Sequence, residues 1–155
     1  SVEEFRVRIT HVLEKYPYLV AEADGAVIGY AYAGAFKERA AYDWAVETSI
    51  YLRKDKKKHG VGRKLSEALE QALNMQHILN VNACITYIEK EDEYMGYRLV
   101  GKFCACGYKF GRWYDMIWME KFLGEHTAHP AAVKRFPEIK KQFEIEYCFG
   151  KNSDI

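Results

Sequence analysis

Residues 44–76 read WAVETSIYLRKDKKKHGVGRKLSEALEQALNMQ, and they decide the architecture. The opening alternates, with Val46, Thr48, Ile50 and Leu52 on one side and Glu47, Ser49 and Tyr51 on the other, which is the period of a half-buried strand. The close repeats Leu65, Leu69, Ala72 and Leu73 at helical spacing. ILNVNACITY follows at 78–87 as another β-rich run. A strand, a helix and a strand in that order imply a parallel pair joined by a right-handed crossover, and hence an α/β domain.

The loop between that strand and helix, RKDKKKHGVGRK at 53–64, carries the chemistry. Gly60 and Gly62 remove the Cβ atoms that would hold a ligand away, and the helix starts at once. A helix N-terminus with open N–H donors and partial positive charge attracts anions, and Lys57, Lys58, Arg63 and Lys64 add to that field. A phosphate or pyrophosphate is the expected guest; the plainer reading is a solvated basic loop with a glycine turn. The spacing excludes a Walker A loop, and the dinucleotide fingerprint fails because Leu65 stands where its third glycine belongs.

Working outward, residues 1–16 start with a serine and a glutamate three positions on, then place Phe5, Ile9, Val12 and Leu13 at helical spacing, with Pro17 as the stop. PYLVAEADGAVIGYAYAG at 17–34 reads as a hairpin turning at Asp24-Gly25. YRLVGKFCACGYKF and WYDMIWMEKFL read as two further strands around Gly111. From Gly124 onward no periodicity is legible.

The totals set the bounds. At 155 residues, 49% hydrophobic and 15% aromatic, the chain can bury one full core. Its 23 Lys+Arg against 22 Asp+Glu leave a net charge of +1, so no nucleic-acid partner is expected. No apolar run is long enough for a membrane span and no signal peptide is legible. Cys84, Cys104, Cys106 and Cys148 read as reduced thiols of a cytoplasmic protein, and no spacing calls for a metal. Cys104 and Cys106 flank one residue in an apparent strand, which points both the same way; His126 and His129 read as surface residues.

The order FKERAAYDWAVETSIYL, then the glycine turn, then GYRLVGKF and GYKFGRWYDMIWMEK resembles the GNAT acetyltransferase superfamily, in its phosphinothricin acetyltransferase branch, over about four fifths of the chain. The resemblance implies a mixed, largely antiparallel sheet with flanking helices and a splayed strand pair that admits acetyl-CoA, with no metal. It implies that Ile50, Tyr51 and Leu52 lend backbone groups to the pantetheine arm and that His59, Gly60, Val61, Gly62, Arg63 and Lys64 hold the pyrophosphate, with Lys57 at the motif's usual Arg/Gln position. Glu47 falls at the family position of the general base; Lys37, Arg39 and Tyr42 lie where relatives hold the acidic end of an amino-acid acceptor. Trp113, Tyr114 and Asp115 match a segment expected to close the acceptor pocket, while Phe110 replaces a histidine of some relatives. A homodimer is also implied by resemblance.

Two gaps stand against the family pattern. The chain opens at what looks like the second helix, and only IEKEDEYMG joins two strands whose link must cross the sheet, so residues are expected to be missing at the N-terminus and between Tyr94 and Met95. The expected organisation is an acetyltransferase domain over 1–123 and a C-terminal tail over 124–155. Rival readings are a catalytically silent CoA-binding sensor, transfer to a protein or polyamine, and a nucleic-acid module using Lys56, Lys57 and Lys58.

Overall fold

The computed structural model describes residues 1–56, 60–86 and 96–150. In chain order these form α1 (Val2–Leu13), β1 (Tyr18–Ala23), β2 (Ala26–Ala35), β3 (Ala45–Leu52), α2 (Val61–Met75), β4 (Asn80–Thr86), β5 (Arg98–Lys109), β6 (Arg112–Phe122) and α3 (Phe136–Gly150). Among the described residues no helix is long and apolar enough to cross a membrane.

Local chemistry sets the element ends. Ser1 caps α1 through its Oγ, which accepts from the Glu4 N–H at 3.2 Å. Asp24 and Gly25 both take positive φ, 52° and 75°, as the tight β1–β2 turn requires. Phe110 and Gly111, at φ 53° and 74°, turn β5 into β6 in the same way.

One six-stranded sheet runs in the order β1-β2-β3-β4-β6-β5. Among the described residues only β3 and β4 pair in parallel, joined through α2 as the strand–helix–strand reading requires; the other pairs are antiparallel. β4 and β5 lie parallel to one another with β6 between them. The expected gap at Tyr94 and Met95 lies outside the described residues.

α2 buries Leu65, Leu69 and Leu73 against Ala31, Ala33, Val46 and Val81 of the sheet. Fully burying such side chains contributes about 1.5–3 kcal/mol each. α1 packs on the opposite face, where Phe5 meets Tyr30 edge-on at 6.2 Å. The two faces therefore differ: one is aliphatic beneath α2, the other carries Tyr18, Tyr30, Tyr32, Tyr51 and Glu47.

The segment after Gly124 is tied down and then helical. Trp44 Nε1 donates to the Ala131 carbonyl at 2.8 Å and His77 Nδ1 to that of Ala132 at 2.8 Å. Gln76, fully buried, donates from Nε2 to the carbonyls of Lys15 and Lys134, both at 2.8 Å. α3 then buries Phe136, Ile139 and Phe143 against Ala68 and Ala72 of α2. Those positions are spaced three and four apart, a helical stripe that charged neighbours and Pro137 mask in the sequence.

β5 carries a bulge rather than plain alternation. Register jumps from Phe103 to Gly107, Ala105 sits at φ 48°, and its N–H donates to Asp115 Oδ1 at 2.8 Å. Cys104 and Cys106 flank this kink as exposed free thiols, so the alternation that would aim them together is broken. The side chain of Cys148 lies outside the described ones.

Candidate active site

The site is organised by where β3 and β4 part. They pair at Ala45↔Asn80, Val46↔Val81 and Glu47↔Asn82, and the ladder stops there. Beyond that row, among the described residues, Thr48 to Leu52 pair only with β2 and Ala83 to Thr86 only with β6, so no described strand covers the facing backbone edges. Side chains close the vertex itself: Asn82 Nδ2 donates to the Val46 carbonyl at 3.2 Å, and Thr48 Oγ1 to the Asn82 carbonyl at 3.4 Å. Burial pushes the hydroxyl of Tyr97, hydrogen-bonded to Thr48, up to about 12, with the Glu70 charge adding to that rise.

Glu47 stands on the last paired row. Its neighbour on β2 is Gly34, where even an added Cβ would meet nothing within 4 Å, so the space over the carboxylate is open. Among the described residues the carboxylate has no hydrogen-bond or ion-pair partner. Its charge is felt by Cys84, two residues past Asn82, whose thiol is pushed up by burial first, then by Glu47 and Cys106. Phe36, following β2, meets Trp118 of β6 edge-on at 5.9 Å, so the two rings reach over β3 and β4 on the face that carries Glu47.

Past the open edges lies the N-terminus of α2. Its cap is Gly60 at φ 74° with no capping side chain, so the N–H groups of Val61 and Gly62 open the helix without one. A Cβ on Gly62 would come within 3.2 Å of Leu52 Cδ1, a tight contact that the Leu52 side chain would have to yield to by a few tenths of an ångström. Bare N–H donors with the helix dipole behind them fit a diphosphate, and the unpaired edges of β3 and β4 fit an amide-bearing arm.

At the other end of β3 is a pocket of 290 Å³ lined by Tyr42, Trp44, Leu79, Asn80, His126 and Thr127 among others. Phe36 touches Tyr42 edge-on at 6.4 Å and carries the Lys37 ammonium 5.4 Å from its ring centre, which puts Lys37 at the rim of the Glu47 cleft.

The sequence-derived candidates thus fall into three groups. Glu47, Ile50, Tyr51 and Leu52 share β3, and Gly60, Val61, Gly62, Arg63 and Lys64 begin α2 beyond it; Lys57, Lys58 and His59 lie outside the described residues. Lys37 and Tyr42 gather near Glu47, with Arg39 exposed just ahead of the short turn that carries Tyr42. Trp113 is not brought in: it sits exposed at the tip of the β5–β6 hairpin, tilted against Tyr108 at 5.1 Å. Glu120 of β6 shares the Glu47 row through Asn82, and the seven residues from there to Trp113 span about 23 Å of strand. Asp115 holds the bulge and pairs with Lys102 at 2.7 Å, which lowers its carboxyl through the Lys102 hydrogen bond and the Ala105 N–H. Trp44, Asn80, Asn82 and His126 were missed; the polar alternation of Asn80 and Asn82 within an apolar strand was the available signal.

Comparison with known proteins matches residues 1–118 to the acetyltransferase (GNAT) domain family. A phosphinothricin N-acetyltransferase of Streptomyces viridochromogenes is 37% identical over 131 residues, 81% of this chain and 70% of that protein. The L-methionine sulfoximine/L-methionine sulfone acetyltransferase of Salmonella typhimurium is 32% identical over 75% of this chain and 70% of its own length. The crystal structure of a phosphinothricin acetyltransferase from Sinorhizobium meliloti in complex with AcCoA superposes with a TM-score of 0.76 at 34% identity, covering 89% of this chain and 78% of that one.

Proposed function

Because this chain belongs to the acetyltransferase (GNAT) family, we propose that it transfers acetyl from acetyl-CoA to the amine of a small amino acid or analogue of the phosphinothricin or methionine sulfoximine kind. The observation that carries this reading is a carboxylate, Glu47, without a partner among the described residues, at the parting of β3 and β4, with an anion-binding turn off one end of β3 and a small pocket off the other.

Acetyl-CoA supplies an acetyl group activated as a thioester. The N–H groups of Val61 and Gly62, with the charges of Arg63 and Lys64, receive its diphosphate, and the open edge of Ile50 to Leu52 receives its arm. An acceptor amine is mostly protonated near neutral pH and cannot attack in that form. Glu47 takes the proton, freeing the lone pair for direct attack on the thioester carbonyl; the C–S bond then breaks and CoA departs as its thiolate, with no covalent enzyme intermediate. Backbone donors of the Ile50 to Leu52 segment face the charge that develops on the carbonyl oxygen. Lys37 and Arg39 offer cations to an acidic group on the acceptor.

A cytoplasmic homodimer completes the reading. Free thiols at Cys84, Cys104 and Cys106 suit a reducing compartment, and β5 is a long edge strand with Leu99, Val100, Phe103 and Tyr108 exposed. The deciding experiment is thiol release from acetyl-CoA with these acceptors, comparing the parent with Glu47→Gln. Loss of about 10²–10⁴ in kcat with acetyl-CoA binding retained is expected for a general base. Turnover unchanged in the variant removes Glu47 from the chemistry.

A further inference from the structure

We propose that the pocket beside Glu47 is the side-chain subsite for the acceptor, and that His126 and Thr127, from the segment joining β6 to α3, read the polar end of that side chain. The identity of the occupant rests on the acetyl-transfer reading above; the existence of the subsite does not.

Position comes first. Ala45 lines the pocket and precedes Glu47 by two residues on one strand, so both face the same way about 6.6 Å apart. Asn80, Ala45's partner, also lines it, and its neighbour on that face is Asn82, Glu47's partner. The anion-binding turn leaves from the opposite end of β3, so a ligand seated here meets Glu47 from the side away from the cofactor.

Size and lining select the class. At 290 Å³ the pocket lies at the low end of the roughly 300–1,000 Å³ of small-molecule sites, suited to one amino-acid side chain. Tyr42, Trp44, Leu79 and Pro130 offer apolar contact to a methylene stem. His126 is held from two sides: Nε2 donates to Asn80 Oδ1 at 2.7 Å, and Phe122 packs edge-on at 4.7 Å. An amide oxygen only accepts, so in the neutral ring Nε2 carries the hydrogen and Nδ1 is an acceptor. Among the described residues neither Nδ1 nor the Thr127 hydroxyl has a protein partner. Both side chains are exposed, and an apolar stem ending in a group that both donates and accepts would replace water at the two together. A sulfoximine, with its N–H and S=O, does so, whereas a sulfone offers acceptors alone.

The test is a titration of the ¹⁵N-labelled full chain, in the presence of CoA, with methionine sulfoximine and separately with methionine sulfone. The Trp44 indole N–H is the reporter and Trp113, at the hairpin tip, the reference. Sulfoximine should move Trp44 and bind more tightly than the sulfone. His126→Ala and, independently, Thr127→Val should each weaken it about five- to tenfold, the worth of one hydrogen bond, with CoA affinity unchanged. Equal affinity in both variants, or movement of Trp113 in place of Trp44, overturns the subsite. Binding at Trp44 without any acetyl transfer would sink the catalytic reading and leave the subsite standing.

Discussion

The two ends of β3 are built by opposite means. Beyond Leu52 the backbone makes the site: a left-handed Gly60, a Gly62 that clears Leu52, bare N–H groups and strand edges left open where β3 and β4 part. Before Ala45 the side chains make it: Tyr42 from a turn, Trp44 ahead of the strand, Asn80 from β4 and His126 from the segment behind β6. A backbone site binds what every acetyl-CoA has in common, and many sequences can build it. A side-chain site discriminates among acceptors and is specific to the chain that builds it. Glu47 sits between the two, on the last paired row of β3 and β4, where the proposed reading has the cofactor meet the acceptor.

The contrast breaks if damage at one end is felt at the other. Gly60→Val forces a β-branched residue to φ 74°, a strain of about 2–3 kcal/mol. The turn escapes that strain by leaving its left-handed conformation, which removes the donors it presents. The expected result is a rise in the acetyl-CoA KM of roughly thirtyfold or more, since 1.4 kcal/mol is a factor of ten. The acceptor KM should stay within about twofold for a backbone effect confined to this end. Steady-state kinetics varying each substrate in turn decides it, and a parallel rise in both constants would join the two ends into one device.

The mirror experiment loosens the far end. Gln76 ties Lys15 and Lys134 together from a buried position, and its own Oε1 is buried with no partner. Gln76→Leu leaves the Lys134 carbonyl without a donor and takes one of two donors from the Lys15 carbonyl, which keeps the Phe136 N–H, a loss of about 1 kcal/mol after the relief of that orphaned oxygen. Denaturant unfolding should register the loss. The acceptor KM should rise by a few fold as the His126 segment loosens, and the acetyl-CoA KM should not move.

The same contrast explains what the sequence disclosed. Asp24-Gly25 and Gly60 were legible because a positive φ narrows the choice of residue to a few types. Leu65, Leu69 and Leu73 announced α2 by spacing alone, and strand parity put Glu47 opposite the aliphatic face. The acceptor end was hidden because Tyr42, Asn80 and His126 are joined only by folding, with 37 and 45 positions between them that carry no sign of their meeting. Trp113 shows the reverse case: motif order groups it with the acceptor, and within this chain the length of β6 sets it apart from Glu47. α3 was within reach of periodicity, since Phe136, Ile139 and Phe143 form a stripe, but that stripe is narrow and charged residues surround it.

The smallest effect is confined to alkaline pH and sharpens the comparison at the vertex. Tyr97, bonded to Thr48, and Tyr18, on the tyrosine face packed by α1, are both raised from 10.0 to about 12. Burial leads in each case; Glu70 reinforces it at Tyr97, and Tyr30 and Tyr32 do so at Tyr18. Folding therefore holds a proton that the unfolded chain releases above its ordinary pKa. Stability from this source is complete below about pH 10 and is lost as pH rises toward about 12, because the unfolded chain then binds fewer protons than the folded one. Tyr97→Phe should cancel one share of that decline and Tyr18→Phe another, while near neutral pH the two variants differ little from the parent on this account. Only Tyr97 touches the strand that parts from β4, so only its alkaline ionisation should release CoA before the chain unfolds. CoA fluorescence-competition binding followed from pH 9 upward separates them, and equal loss of binding in Tyr97→Phe and the parent would free the vertex from any dependence on that hydroxyl.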